Sequence, residues 1–213
     1  MTDLAQKIQM VELAKSLFDR GYTVGGAGNL SVRLDDNRVL VTPTGSSLGR
    51  LEVNRLSVLD MNGNLIEGDK PSKESVFHLA LYQANPQCKA IVHLHSTYLT
   101  ALSCLEGIDT TNAMRAFTPY YVMRVGQLPV IPYYKPGDTN IARELRERAL
   151  QAKAFLLANH GVVVTGNSLV DAVDNMEELE ETAKLYFILQ GKSIRYLSES
   201  EVKDLENRGN KNA

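Results

Sequence analysis

The sequence predicts an α/β fold around a sheet that starts as an antiparallel meander. Three features carry this: helical periodicity near both ends of the chain, hairpin signals joining short alternating strands in its first third, and two apolar runs, 90–94 and 155–158, each leading to histidine. With 213 residues, 44% of them hydrophobic, the chain can bury a substantial core as one domain, 1–213, and no stretch resembles a flexible linker.

A formal net charge of -2 without a basic cluster supplies no electrostatic footprint for nucleic acid or an anionic membrane, so a small molecule is the expected partner. The start, Met1-Thr2-Asp3-Leu4-Ala5-Gln6-Lys7, lacks the basic and apolar regions of a signal peptide, and no apolar run approaches the ~18 residues of a membrane span. A cytoplasmic protein is the expectation. Cys88 and Cys104 form neither a metal-binding pair nor a disulfide framework, and both read as buried thiols.

Leu4, Ile8, Val11, Ala14 and Leu17 or Phe18 recur every three to four residues and predict a first amphipathic helix that Gly21 can end. Gly25, Gly26 and Gly28 then lead into a hairpin of strands 30–34 and 39–42 around Asp35-Asp36-Asn37. Because these glycines precede a strand, they do not make the dinucleotide fingerprint, which opens a helix. They are either a permissive turn or a nest whose N–H groups approach an anion. Pro43-Thr44-Gly45-Ser46-Ser47 joins another turn to hydroxyl donors, and Asn62-Gly63 predicts a second hairpin with a two-residue connection. A meander this early argues against a Rossmann sheet.

Pro71-Ser72-Lys73-Glu74 opens a helix carrying Val76, Phe77, Leu79, Ala80 and Leu81, with Ser72 as its N-cap. The positive end of that helix, beside Ser72 and Lys73, favours phosphate. Glu74 is either a structural first-turn carboxylate or a catalytic one, and His78 shares its face as packing or as support for a site. A helix suits 97–105. The stretches 116–121 and 128–134 are less regular and supply tyrosines and the cations Arg115, Arg124 and Lys135. Asp138 caps a helix through Ile141, Leu145 and Leu150, the second apolar run follows, and 161–166 is a return strand. Ser168 caps a long helix with Leu169, Ala172, Val173, Met176 and Leu179 facing inward and Glu177, Glu178, Glu180 and Glu181 on a solvated face. From Ser198 the chain becomes a polar tail expected to fray.

Chemistry concentrates in the histidines, of which there are four. On a strand, side chains alternate faces, so His93 and His95 point the same way and can share one metal ion. A lone histidine there would be a satisfied core residue; the pair at the end of an apolar run admits a metal. His160 ends the second run, and three converging histidines leave a metal one open position, the mark of a catalytic site.

In order along the chain, Gly28-Asn29, Pro43-Thr44-Gly45, Pro71-Ser72-Lys73-Glu74, His93-x-His95 and Asn159-His160-Gly161 resemble the class II aldolase family of the fuculose-phosphate aldolase type, over nearly the whole length. The resemblance implies a three-layer α/β/α sandwich with a mostly antiparallel central sheet, assembled as a homotetramer with active sites at subunit interfaces. It implies one divalent metal ion per subunit, Zn2+ being the expected metal, held by His93, His95 and His160, with Glu74 as acid/base and as fourth ligand in the absence of substrate. Asn29, Thr44, Gly45, Ser72 and, by position, Lys73 would bind substrate phosphate. Tyr120, in preference to Tyr121, would be the catalytic tyrosine supplied by a neighbouring subunit.

Further segments, 117–120, 133–138 and 175–180, resemble in particular the subgroup that decarboxylates 3-oxo-tetronate 4-phosphate to dihydroxyacetone phosphate and carbon dioxide in catabolism of four-carbon sugar acids. Such a reaction leaves an enediolate, which a metal stabilises and Glu74 protonates, and a Glu74 pKa raised toward neutrality would help. The departing carboxylate calls for a cation, for which Lys73, Arg115, Arg124 and Lys135 are the candidates. A sugar-phosphate aldolase or pentulose-phosphate 4-epimerase would use the same machinery, and a non-catalytic interaction module is the remaining alternative.

Overall fold

The computed structural model describes residues 1–209. Its frame is one eight-stranded sheet in the order β4-β3-β2-β1-β5-β8-β7-β6. The strands are β1 (Asn29–Arg33), β2 (Arg38–Val41), β3 (Ser57–Asp60), β4 (Leu65–Glu67), β5 (Ala90–Leu94), β6 (Val130–Ile131), β7 (Ala154–Leu157) and β8 (Gly161–Gly166). The helices are α1 (Asp3–Asp19), α2 (Ser75–Ala84), α3 (Thr97–Ser103), α4 (Pro119–Arg124), α5 (Thr139–Arg148), α6 (Leu169–Leu189) and α7 (Glu199–Gly209). Among these residues no helix is long and apolar enough to cross a membrane.

Where a mostly antiparallel sheet was expected, the sheet is mixed. β6 pairs with β7 in parallel, through Val130 opposite Leu156 and Ile131 opposite Leu157, while the other neighbours run antiparallel. The reason is the connection: α5 lies between β6 and β7 and carries the chain back to its starting end, a return that parallel pairing requires.

Strand alternation divides the core. Leu30, Val92, Leu94, Val162 and Val164 face a cluster with Met10, Leu99, Tyr121, Met176 and Leu179, so α1, α3, α4 and α6 cover one side. Val39, Val41, Ile91, Phe155 and Val163 face the other with Phe77, Leu81, Ile141 and Leu145 of α2 and α5. Both sides of the central strands are therefore dry, and they read as continuous apolar runs instead of alternating ones.

Several local expectations change. The inward face of α1 is Lys7, Met10, Ala14 and Leu17, while Leu4 and Ile8 are exposed. On the inward face Lys7, buried by its stem, carries its ammonium to Glu67 at the end of β4. The Asn62-Gly63 connection spans 61–64, pinned by the Asp60 carboxylate, which accepts N–H bonds from Asn62 and Asn64. The irregular stretches contain α4, capped by Thr118 with Pro119 in its first turn, and the short β6. Leu150 lies past α5 and is exposed. Cys104 is exposed and only Cys88 is a buried thiol, because Cys104 follows the last turn of α3.

The polar tail expected from Ser198 instead forms α7. Ser198 and Glu201 cap its start reciprocally: the Glu201 N–H donates to Ser198 Oγ at 3.3 Å and the Ser198 N–H donates to the Glu201 carboxylate at 2.8 Å. α7 packs on α4, behind a strap in which Leu197 N–H bonds to the Ala116 carbonyl. Residues 210–213 of the predicted tail lie outside the described residues.

Candidate metal centre

β5 ends inside the molecule. His93 is its fourth residue, paired with Asn29 on one side and Val163 on the other, and His95 follows one residue past the strand. His160 stands in the tight turn between β7 and β8, after Asn159, whose φ of 55° is unusual for a residue with a side chain. Two glycines let these segments meet. At Gly161 a Cβ would lie 2.5 Å from the Leu94 carbonyl and 3.1 Å from the His95 ring, and at Gly28, with φ of 82°, it would lie 2.9 Å from the His93 carbonyl.

One nitrogen from each of His93, His95 and His160 falls within 4.8 Å of the others. His93 Nδ1 donates to the Val162 carbonyl at 2.8 Å, which leaves the Nε2 lone pair facing inward, 3.1 Å from His95 Nε2. Glu74 closes the group, with Oε2 3.3 Å from His93 Nε2 and Oε1 3.4 Å from His160 Nε2. Burial above all, and then the like charge of neighbouring imidazoles, brings His95 down to about 4, and the same causes lower His160. His95 and His160 are thus disposed to be neutral. Three imidazoles that converge with a nitrogen from each and a carboxylate beside them are the donor set that a divalent metal takes.

Glu74 differs from the expectation of a raised pKa. Burial pushes its carboxyl upward, but positive charge at His93 and His160, such as a metal ion held there would supply, together with the Asn29 donor outweighs it and holds the group well below the usual carboxylate range. The helix start also moves. α2 begins at Ser75, with Glu74 at its N-cap position, and the Ser72 hydroxyl, two residues earlier, accepts the Glu74 N–H at 3.2 Å.

Asn29, Thr44, Gly45, Ser72, Lys73, Glu74 and His95 line one pocket of about 320 Å³, together with Gly28, Ser46 and Gly137. Five of the seven, Asn29, Thr44, Gly45, Ser72 and Lys73, are the residues expected to bind phosphate. The Asn29 carboxamide also engages Glu74 and His78, so that side chain braces the carboxylate while it lines the pocket. Tyr120 is 62% exposed on α4 and is not among the residues lining this pocket, whereas Tyr121 is buried with its hydroxyl bonded to Asn112 and Met114. Of the four cations, Lys73 alone lines the pocket; Arg115 stacks on Tyr196 and Arg124 pairs with Asp171 and Asp174. A larger cleft of about 800 Å³ touches the site only at the Asn159 turn.

Two supports were not legible as such. Ser31 and Tyr82 join His78 in a buried hydrogen-bonded group; Ser31 lies two residues beyond Asn29 on one strand face, a spacing that could have marked it. Glu180, expected on the solvated face, is buried and accepts from Ser96 Oγ, Tyr98 N–H and Leu99 N–H, because α6 crosses the start of α3 there.

The fold has counterparts among known proteins. Residues 8–187 match the family model described as Class II Aldolase and Adducin N-terminal domain, and the chain belongs to that family. It is 76% identical over 209 residues, covering 98% of this chain and 100% of the relative, to a Haemophilus influenzae protein named 3-oxo-tetronate 4-phosphate decarboxylase. Among solved structures, YgbL from Escherichia coli, titled a candidate aldolase/epimerase/decarboxylase, superposes with a TM-score of 0.94 at 56% identity, covering 96% of this chain and 99% of that one. A structure titled L-fuculose 1-phosphate aldolase superposes with a TM-score of 0.85 at 29% identity, covering 96% and 95%.

Proposed function

We propose that the chain is a divalent-metal-dependent lyase that converts 3-oxo-tetronate 4-phosphate to dihydroxyacetone phosphate and carbon dioxide. The observation that carries the reading is the Glu74 carboxylate set between His93 and His160 at the end of a pocket lined by anion-cradling turns, in a chain 76% identical to a decarboxylase of that name.

His93, His95 and His160 would hold the metal, with Glu74 beside them, and Zn2+ is the expected ion. Held there, it would supply positive charge where electrons collect on the ketone oxygen. The chain's own groups do the rest. Thr44, Gly45, Ser46 and Ser72, with Lys73, grip the phosphate and so fix the reacting carbons against the histidines. The bond between the carboxylate carbon and C2 breaks, its electrons pass into an enediolate across C2 and C3, and carbon dioxide leaves. Glu74 then delivers a proton to C2. Since the empty-pocket carboxyl is ionised, it first takes that proton from solvent, a step that the incoming anionic substrate favours by raising its pKa. Asn29 holds Glu74 in place. Tyr120, exposed on α4, completes the site of a neighbouring subunit in a cytoplasmic homotetramer.

The test is incubation of metal-loaded protein with the keto acid phosphate, following carbon dioxide and dihydroxyacetone phosphate together; equal release supports the reading and absence of both removes it. Similarity to the L-fuculose 1-phosphate aldolase structure favours retro-aldol cleavage as the second reading, and aldehyde release from ketose 1-phosphates would replace the first with it. Glu74→Gln is expected to retain metal and lose most turnover, and unchanged turnover would take Glu74 out of the mechanism.

A further inference from the structure

Behind Glu74 a buried hydrogen-bond chain runs into the sheet, and the chemistry of its end fixes the direction of each link. An ionised carboxylate only accepts, so the 2.7 Å contact with Asn29 is made by Asn29 Nδ2–H. Asn29 Oδ1 therefore faces His78 Nε2 at 2.6 Å, and that nitrogen must carry the proton. His78 Nδ1 is then a lone pair, which takes the Ser31 hydroxyl at 2.6 Å, and Ser31 Oγ accepts in turn from Tyr82 at 2.8 Å. Donation runs one way, from Tyr82 through Ser31, His78 and Asn29 to Glu74. Ser31 and His78 are fully buried, and the imidazole stacks on Phe77 with centroids 4.8 Å apart. Neither ring nitrogen has a competing partner in water.

We propose that His78 is a positioning residue for Glu74: its Nε2–H decides which end of the Asn29 carboxamide faces the carboxylate. Without that donor, Asn29 can turn its oxygen toward Glu74, which removes one charge-assisted bond and sets acceptor against acceptor. Ser31 and Tyr82 act one link further back, by holding His78 in the single tautomer that donates to Asn29. The proposal rests on the reading of Glu74 as the acid/base.

The experiment compares His78→Leu, His78→Gln and Glu74→Gln in metal-loaded protein, with kcat, KM, metal content and melting temperature for each. His78→Leu is expected to lower kcat about 10- to 100-fold while KM stays within about twofold and metal is retained, the size of one lost hydrogen bond to a charged group. His78→Gln, whose side-chain amide can donate to Asn29 Oδ1, is expected to recover most of that loss. In an Asn29→Ala background, His78→Leu should cost nothing more. Imidazole ¹⁵N shifts of the unsubstituted protein should report His78 as the Nε2–H tautomer. An Nδ1–H tautomer, a full additional loss in the Asn29→Ala background, or equal impairment by Leu and Gln would overturn the proposal. So would normal kcat in His78→Leu while Glu74→Gln is inactive; normal turnover in Glu74→Gln would instead refute the underlying reading, and this proposal with it. Should His78→Leu fail to fold, Ser31→Ala replaces it, with a smaller fall in kcat and mixed tautomers expected, and an unchanged kcat and tautomer counting against the proposal.

Discussion

Glu180→Gln tests how α6 holds the segment that follows His95. Its carboxylate, 8% exposed, accepts Tyr98 N–H at 2.8 Å through one oxygen, and Leu99 N–H at 3.0 Å and Ser96 Oγ–H at 2.7 Å through the other. The two amides belong to the first turn of α3, which its own N-cap, Ser96, leaves without a side-chain bond. A residue on one helix thus caps another, and it also opposes that helix's positive dipole end. Glutamine keeps the shape but replaces one oxygen by NH2, leaving at least one buried donor facing a donor. Losing the dipole interaction and one buried bond amounts to about 2–4 kcal/mol. For a chain of this length that is a fall in melting temperature of roughly 4–16 °C. Thermal unfolding followed by circular dichroism reads it directly, with Glu181→Gln, on the exposed side of the same helix, as the control expected to stay within about 0.5 kcal/mol. Metal affinity should weaken as well, since Ser96 adjoins His95. A Glu180→Gln melting temperature within measurement error of the unsubstituted protein would refute the capping argument.

Lys73→Ala is expected to raise KM for the keto acid phosphate about tenfold or more, whereas Arg124→Ala, whose charge is already paired with Asp171 and Asp174, should leave it within twofold; steady-state kinetics on both variants decides. Chelation should abolish activity, with recovery on adding a divalent ion, and should also lower stability by about 3 kcal/mol relative to protein holding metal at a hundred times its dissociation constant, read as a denaturant midpoint. Stability of the metal-free protein should fall with pH. Burial takes His78 from its ordinary 6.5 down to about 3, so the unfolded chain binds a proton that the folded one refuses. That group's contribution is complete above about pH 6.5 and is lost at up to roughly 1.4 kcal/mol per pH unit as the pH drops toward 3. A flat midpoint between pH 7 and pH 5 would contradict this.

Elements with a strong period were open to sequence reading. The hairpin 30–42, the apolar run before His93 and the long helix after Ser168 appear where apolar spacing and caps put them, because the period of the apolar residues marks which faces go inward whichever element covers them. α4 and β6 did not, since one has six residues and the other two, and both owe their existence to what they pack against. The inward Lys7 of α1 and the buried Glu180 share one feature. A charged residue on an inward face is met by a partner far along the chain, Glu67 for Lys7 and the α3 amides for Glu180, and no local pattern carries that information.

The candidate site divides the same way. Residue type and spacing singled out His93, His95 and His160, because few side chains can ligate a metal and the two-residue spacing on a strand already aims two of them together, whereas Glu74 took its role only from the family resemblance. Only the tertiary structure decided that Asn29 turns to Glu74, that Lys73 is the cation facing the pocket while Arg115 and Arg124 are engaged elsewhere, and that His78 stands behind Asn29. Those assignments depend on which hydrogen-bond donors meet which acceptors once β1, α2 and β5 are packed, and donors meet acceptors in space, not along the chain.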